Sequence, residues 1–72
     1  MALEIPAGLA IIRRKQVEAR TGLSRSTIYL RIAQGTFPAP VNLGSRAVGW
    51  VQSEIDHWLA ARIAESRKPG AQ

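Results

Sequence analysis

The sequence predicts a mainly α fold with a small β-hairpin, three helices plus a two-stranded wing in the order of a winged helix-turn-helix, on three observations. Residues 15–34, KQVEARTGLSRSTIYLRIAQ, set two short amphipathic stretches either side of a Gly-Leu-Ser break. Residues 41–50 alternate apolar with small or polar side chains around Gly44-Ser45-Arg46-Ala47. Beyond Gln52 apolar residues return at three-and-four spacing.

Composition narrows what such a chain can do. Its 72 residues make one domain, and at this size folding buries only about 60% of the unfolded surface, so the core is small and an active-site cleft is hard to house. Cysteine is absent and His57 is the only imidazole, which excludes a disulfide scaffold and thiolate metal sites. No apolar run approaches the roughly 20 residues a membrane span needs. The N-terminus MALEIPAGLA lacks a basic region ahead of an apolar one, so a cytoplasmic protein is expected. The formal net charge is +5, and residues 1–50 hold all of it: Arg13, Arg14, Lys15, Arg20, Arg25, Arg31 and Arg46 face only Glu4 and Glu18 there. A polyanion-binding surface is therefore expected on the helix-turn-helix side.

Residues 1–10 carry Pro6 and Gly8 and no periodicity, and read as a flexible arm. Ile11 and Ile12 form a short extended apolar patch packed on the domain, which spans residues 11–65. Arg13, Arg14 and Lys15 then crowd the start of the first helix. Cations are unfavourable at a helix N-terminus, so a phosphate facing them would relieve a local cost. The first helix, about Lys15 to Thr21, is too short to stand alone. Val17 and Thr21 share its inner face, and Gly22 follows where a left-handed residue ends a helix.

Ser24 is placed to cap the second helix, and Leu23 to staple onto Ile28. At 100° per residue Ile28 and Ile32 stack on one side, while Ser26, Thr27 and Leu30 look the other way. Tyr29 and Arg31 lie at the borders, where a side chain can touch the core and still reach a phosphate. This suits a recognition helix: Ser and Thr hydroxyls hydrogen-bond bases or phosphates, Arg25 reaches a guanine edge, and Leu30 meets a thymine methyl. Gly35 ends this helix and Thr36-Phe37-Pro38-Ala39-Pro40 forms a stiff connection, with Phe37 a core plug. Val41, Leu43, Val48 and Trp50 are expected on one buried hairpin face. Arg46 sits near the hairpin tip, where one cation can enter a minor groove or grip a phosphate.

The last helix is expected over Gln52 to Glu65, with Ser53 and Asp56 as an Asp form of the capping box. Ile55, Trp58, Leu59, Arg62 and Ile63 make its core face, and residues 66–72 read as a frayed tail. Asp56, His57 and the serines include every member of a hydrolase triad, but neighbouring helical residues point about 100° apart and cannot form the relay. Neither an enzyme nor a metal or cofactor site is expected.

Residues 13–63 resemble the AlpA family of prophage regulatory proteins. The resemblance rests on Thr21-Gly22-Leu23-Ser24, Ser26-Thr27-Ile28-Tyr29, Gly35 with Phe37-Pro38, Arg46-Ala47-Val48-Gly49-Trp50, and Ser53-Glu54-Ile55 leading to Trp58. The family looks like compact winged helix-turn-helix proteins related to MerR-type DNA-binding domains and phage excisionases. It implies a double-stranded DNA-binding transcriptional regulator of a mobile element that activates an integrase gene or acts in excision. Arg25, Ser26, Thr27 and Tyr29 match the recognition segment and Arg46 the wing. Where family members often read Tyr-Arg-Leu-Ile, this chain has Tyr29-Leu30-Arg31-Ile32, which leaves open whether Leu30 or Arg31 meets the groove. The expected DNA-contacting set is thus Arg14, Lys15, Ser24, Arg25, Ser26, Thr27, Tyr29, Leu30, Arg31 and Arg46, with cooperative self-association on repeated sites as a further expectation. The alternative is an interaction module for a recombinase or RNA polymerase, with DNA contact incidental.

Overall fold

The computed structural model describes residues 9–68. Residues 1–8 of the expected arm and 69–72 of the expected tail lie outside that range. In chain order the elements are β1 (Ile11–Ile12), α1 (Arg14–Thr21), α2 (Arg25–Gln34), β2 (Val41–Asn42), β3 (Val48–Val51) and α3 (Gln52–Ser66). Three helices and a small antiparallel sheet make the winged helix-turn-helix anticipated from the pattern. No helix among the described residues is long and apolar enough to cross a membrane.

The core consists of Ile12, Val17, Ile28, Phe37, Trp50 and Ile55. These residues come one each from β1, α1, α2, the connection after α2, β3 and α3, so no single element has an apolar surface sufficient to fold alone. Leu23, Ile32, Trp58 and Leu59 pack around them. The two indoles are tied at their polar ends as well. Trp50 Nε1 donates to the Pro38 carbonyl oxygen at 3.0 Å, and Trp58 Nε1 to that of Thr36 at 2.8 Å. Phe37 meets Trp58 edge-on at 4.8 Å between centroids, a geometry favoured by the ring quadrupoles. The stiff connection is thereby clamped between the wing and α3.

The wing has a third strand. β1 pairs antiparallel with β3, setting Ile11 opposite Val51 and Ile12 opposite Trp50, and the strand order is β1-β3-β2. The two-residue run that reads as an apolar patch is thus an edge strand, with Ile12 inside and Ile11 39% exposed.

The hairpin register also differs from expectation. Val41 lies opposite Gly49 and Asn42 opposite Val48, and Leu43 N–H donates to the Ala47 carbonyl oxygen at 2.7 Å. The loop is therefore Gly44-Ser45-Arg46, one residue shorter than the alternation suggests. A one-residue change in register moves a strand's side chains to the other face. Val41 and Leu43 accordingly share the outer face with Gly49, and of the other face only Trp50 is buried, Val48 being 37% exposed against the expectation. Gly49 is required there: a Cβ would collide with Ile11 Cγ2 and stand 3.1 Å from both the Ile12 carbonyl oxygen and Leu43 Cδ1.

The expected capping box of α3 does not form. β3 runs straight into the helix, so Val51 occupies the cap position with no side-chain bond, and the Gln52 N–H is instead satisfied by the Ala10 carbonyl oxygen at 2.7 Å. Asp56 reaches Arg20 of α1, with Nη2 to Oδ1 at 2.9 Å. On the inner stripe of α3 Ile55 is fully buried, but Ile63 is 50% exposed because the helix outruns the core.

Candidate nucleic-acid interface

The helix-turn-helix is held by its breaks. Gly22 (φ 75°) closes α1 and donates to the Glu18 carbonyl oxygen at 2.8 Å; its left-handed backbone is the conformation glycine adopts without a Cβ penalty. Thr21 Oγ1 donates to the Val17 carbonyl oxygen at 2.8 Å and accepts the Leu23 N–H at 3.2 Å, fixing the turn. Ser24 Oγ accepts the Thr27 N–H at 3.3 Å as the cap of α2. The same oxygen donates to Thr27 Oγ1 at 3.0 Å and lies 3.3 Å from Ser26 Oγ. Ser24, Ser26 and Thr27 thus form one hydroxyl cluster at the start of the helix. Gly35 (φ 76°) ends it.

With Ile28 fully buried and Ile32 packed behind it, the opposite side of α2 is presented outward. Ser24, Arg25, Ser26, Tyr29 and Leu30 are exposed, and Thr27 is half-buried. Leu30 is 57% exposed. Arg31 is half-buried, and its Nε is enclosed without a hydrogen-bond partner among the described residues. Leu30 points away from the fold, and the inner part of the Arg31 guanidinium lies against it. Arg25 is stacked over the Tyr29 ring, 5.4 Å from its centroid, and Tyr29 meets Trp50 edge-on at 6.4 Å. The orientation of Arg25 is thereby referred to the core through two rings.

Beside α2 the start of α1 and the wing converge. Arg13, Arg14, Lys15, Tyr29, Arg46 and Val48 line a cavity of about 380 Å³. Arg14 also pairs with Glu18 one turn along α1. Arg13, Lys15 and Arg46 are exposed and have no acidic partner among the described residues. Of the expected set, Arg14, Lys15, Tyr29 and Arg46 share this cavity, Ser24, Ser26 and Thr27 share the hydroxyl cluster, and Arg25 is stacked on Tyr29 at the cavity's edge. Arg31 stands apart. Arg13 and Val48 complete the cavity without belonging to that set; the Arg13-Arg14-Lys15 run marks the first, and only the hairpin register places the second.

A helix-turn-helix with a capped second helix, a wing and a shared basic face define the class: a winged helix-turn-helix domain. Comparison with known proteins places it further. The family described as prophage CP4-57 regulatory protein (AlpA) matches residues 10–63, and the chain belongs to this family. It is 49% identical over 59 residues to the uncharacterized protein ORF88 of Enterobacteria phage P4, covering 82% of this chain and 66% of that relative, slightly under two thirds of its length. It is 37% identical over 62 residues to the DNA-binding transcriptional activator AlpA of Escherichia coli K12, covering 78% of this chain and 89% of AlpA.

Proposed function

We propose that the chain is a sequence-specific double-stranded DNA-binding regulator of a prophage or related mobile element. Support comes from the family, from the AlpA relative named as a DNA-binding transcriptional activator, and above all from one observation. The exposed side of α2 and the basic cavity beside the wing form a continuous face joined by Tyr29. In this reading α2 lies in the major groove with Arg25, Ser26, Thr27 and Leu30 toward base edges. Leu30 offers an apolar contact suited to a thymine methyl. Arg14, Lys15 and Arg46, together on one side of α2, face the DNA backbone, and Arg31 contributes to the field more than to readout. The chain acts by occupancy, without chemistry of its own, and works where DNA is, in the cytoplasm of the host. Activation of an integrase gene and direct action in excision are the two outcomes such occupancy would serve.

The test is an electrophoretic shift on fragments spanning the element's integrase promoter and attachment site. Roughly four to six neutralised phosphates make log K fall with log salt at about 0.9 per phosphate. Protection at the promoter identifies a regulator, and protection inside the attachment site an excision factor. Binding that is absent on every fragment, or indifferent to salt, refutes the reading. Arg25→Ala with Thr27→Ala separates it from an interaction module for a recombinase or RNA polymerase, because biological activity that survives loss of DNA binding belongs to the latter.

A further inference from the structure

We infer that the cavity between the start of α1 and the wing is a site for a single phosphate group, which ties the wing to the helix-turn-helix when it is filled. The inference rests on the DNA reading above for its natural source, a backbone phosphodiester, but the chemistry is that of any phosphate.

Three observations meet at one place. The cavity walls carry Arg13, Arg14, Lys15 and Arg46, with Tyr29 and Val48 completing them. Only Arg14 has an acidic partner among the described residues, so three cations converge without compensation. The first turn of α1 contains no acidic residue. Its unpaired N–H groups and the positive end of its dipole therefore add to the field of the cations instead of offsetting it. A folded chain that assembles like charges from residues 13–15 and from residue 46 into one recess accepts a repulsion that a dianionic or monoanionic oxygen cluster removes.

The cations come from two elements that do not otherwise share a charge contact. A phosphate between them would bridge α1 and the hairpin loop, whose tip residues Gly44, Ser45 and Arg46 are exposed. It would fix the wing relative to α2, because Tyr29 of α2 lines the same recess. Lys15 and Arg46 then act through a common ligand, and their effects on binding are coupled.

The experiment uses the full chain and a duplex that it shifts, with single phosphates replaced one at a time by uncharged methylphosphonate. Wild type, Lys15→Gln, Arg46→Gln and the double variant are compared; both positions are exposed, so folding is retained. One replaced position should weaken wild type about tenfold, the scale of one charge-assisted contact, and should weaken Arg46→Gln by clearly less, since only the cations of α1 still face it there. The double variant should lose less than the product of the two single losses. If every replacement weakens the variants as much as wild type, the site holds no phosphate, while the DNA reading stands. Inorganic phosphate titrated onto the free protein, followed by the amide resonances of residues 14–16, keeps the two apart. Saturable shifts whose midpoint moves to higher phosphate in Arg46→Gln support the site even for a chain that binds no duplex. Shifts unchanged in that variant, or no shifts at all together with no duplex binding, overturn it.

Discussion

Trp50→Phe is the substitution that most directly tests how the domain is closed. Trp50 is fully buried, donates its indole N–H to the Pro38 carbonyl oxygen at 3.0 Å and meets Tyr29 edge-on. Phenylalanine removes the donor and leaves the carbonyl short of a partner, costing about 1–3 kcal/mol. The smaller ring leaves a void that raises the loss further, to roughly 2–4 kcal/mol in all. A 72-residue chain has a total stability of only about 4–11 kcal/mol at 0.05–0.15 kcal/mol per residue, so a large share is at stake. The midpoint of thermal unfolding should fall by roughly 10–30 °C. Urea unfolding followed by far-ultraviolet circular dichroism measures the loss, with an unchanged m-value marking a native-state effect. Trp58→Phe is the control. That indole makes a similar bond to Thr36 but is only half-buried, so water can replace it and about 1 kcal/mol is expected. A Trp50→Phe loss no greater than that of Trp58→Phe would refute Trp50 as the residue that closes the core.

Ser24→Ala should cost about 1 kcal/mol in urea unfolding by removing the cap on the Thr27 N–H, whereas Ser24→Gly should cost only a few tenths. A double-mutant cycle on Arg20 and Asp56 should return under about 1 kcal/mol, because both side chains are more than 40% exposed and water screens the pair. Leu30→Ala should change stability by no more than about 0.5 kcal/mol, since the side chain is exposed, while lowering duplex affinity in a shift assay. Gly49→Ala should destabilise by about 1–3 kcal/mol, as its Cβ has no room beneath Ile11 and Leu43.

The parts of the fold that local chemistry dictates could be read from the sequence. Gly22, Ser24 and Gly35 mark helix ends through backbone conformation and a side-chain cap, and the structure uses each in that way. Ile28, Phe37 and Ile55 are buried where their spacing puts them. What escaped is set by distant parts of the chain. Two isoleucines are too few to show a strand period, and the partner of β1 lies nearly forty residues on. The hairpin faces turned on whether its loop has three residues or four, which composition leaves undecided and which flips Val41 and Leu43 outward. Ser53 and Asp56 match a capping pattern, yet β3 enters α3 without a loop and the Ala10 carbonyl takes the role instead. In the candidate site the charges were legible one by one. Their convergence on one recess was not, because it depends on where the wing folds back.

The placement of β3 at the centre of the sheet has a consequence for how the domain comes into being. During synthesis the two short helices and Ile12 emerge first, but their common partner Trp50 follows Ile12 only after nearly forty residues. Contacts of such long sequence separation are slow to form, since a wide loop must close before any burial rewards it. A nascent chain stopped before Gly49 would hold a complete helix-turn-helix sequence and no basic recess. Binding competence should therefore switch on late, once β3 has zipped between its two neighbours and α3 has brought Ile55 onto the core, and not grow by degrees as the first helices appear.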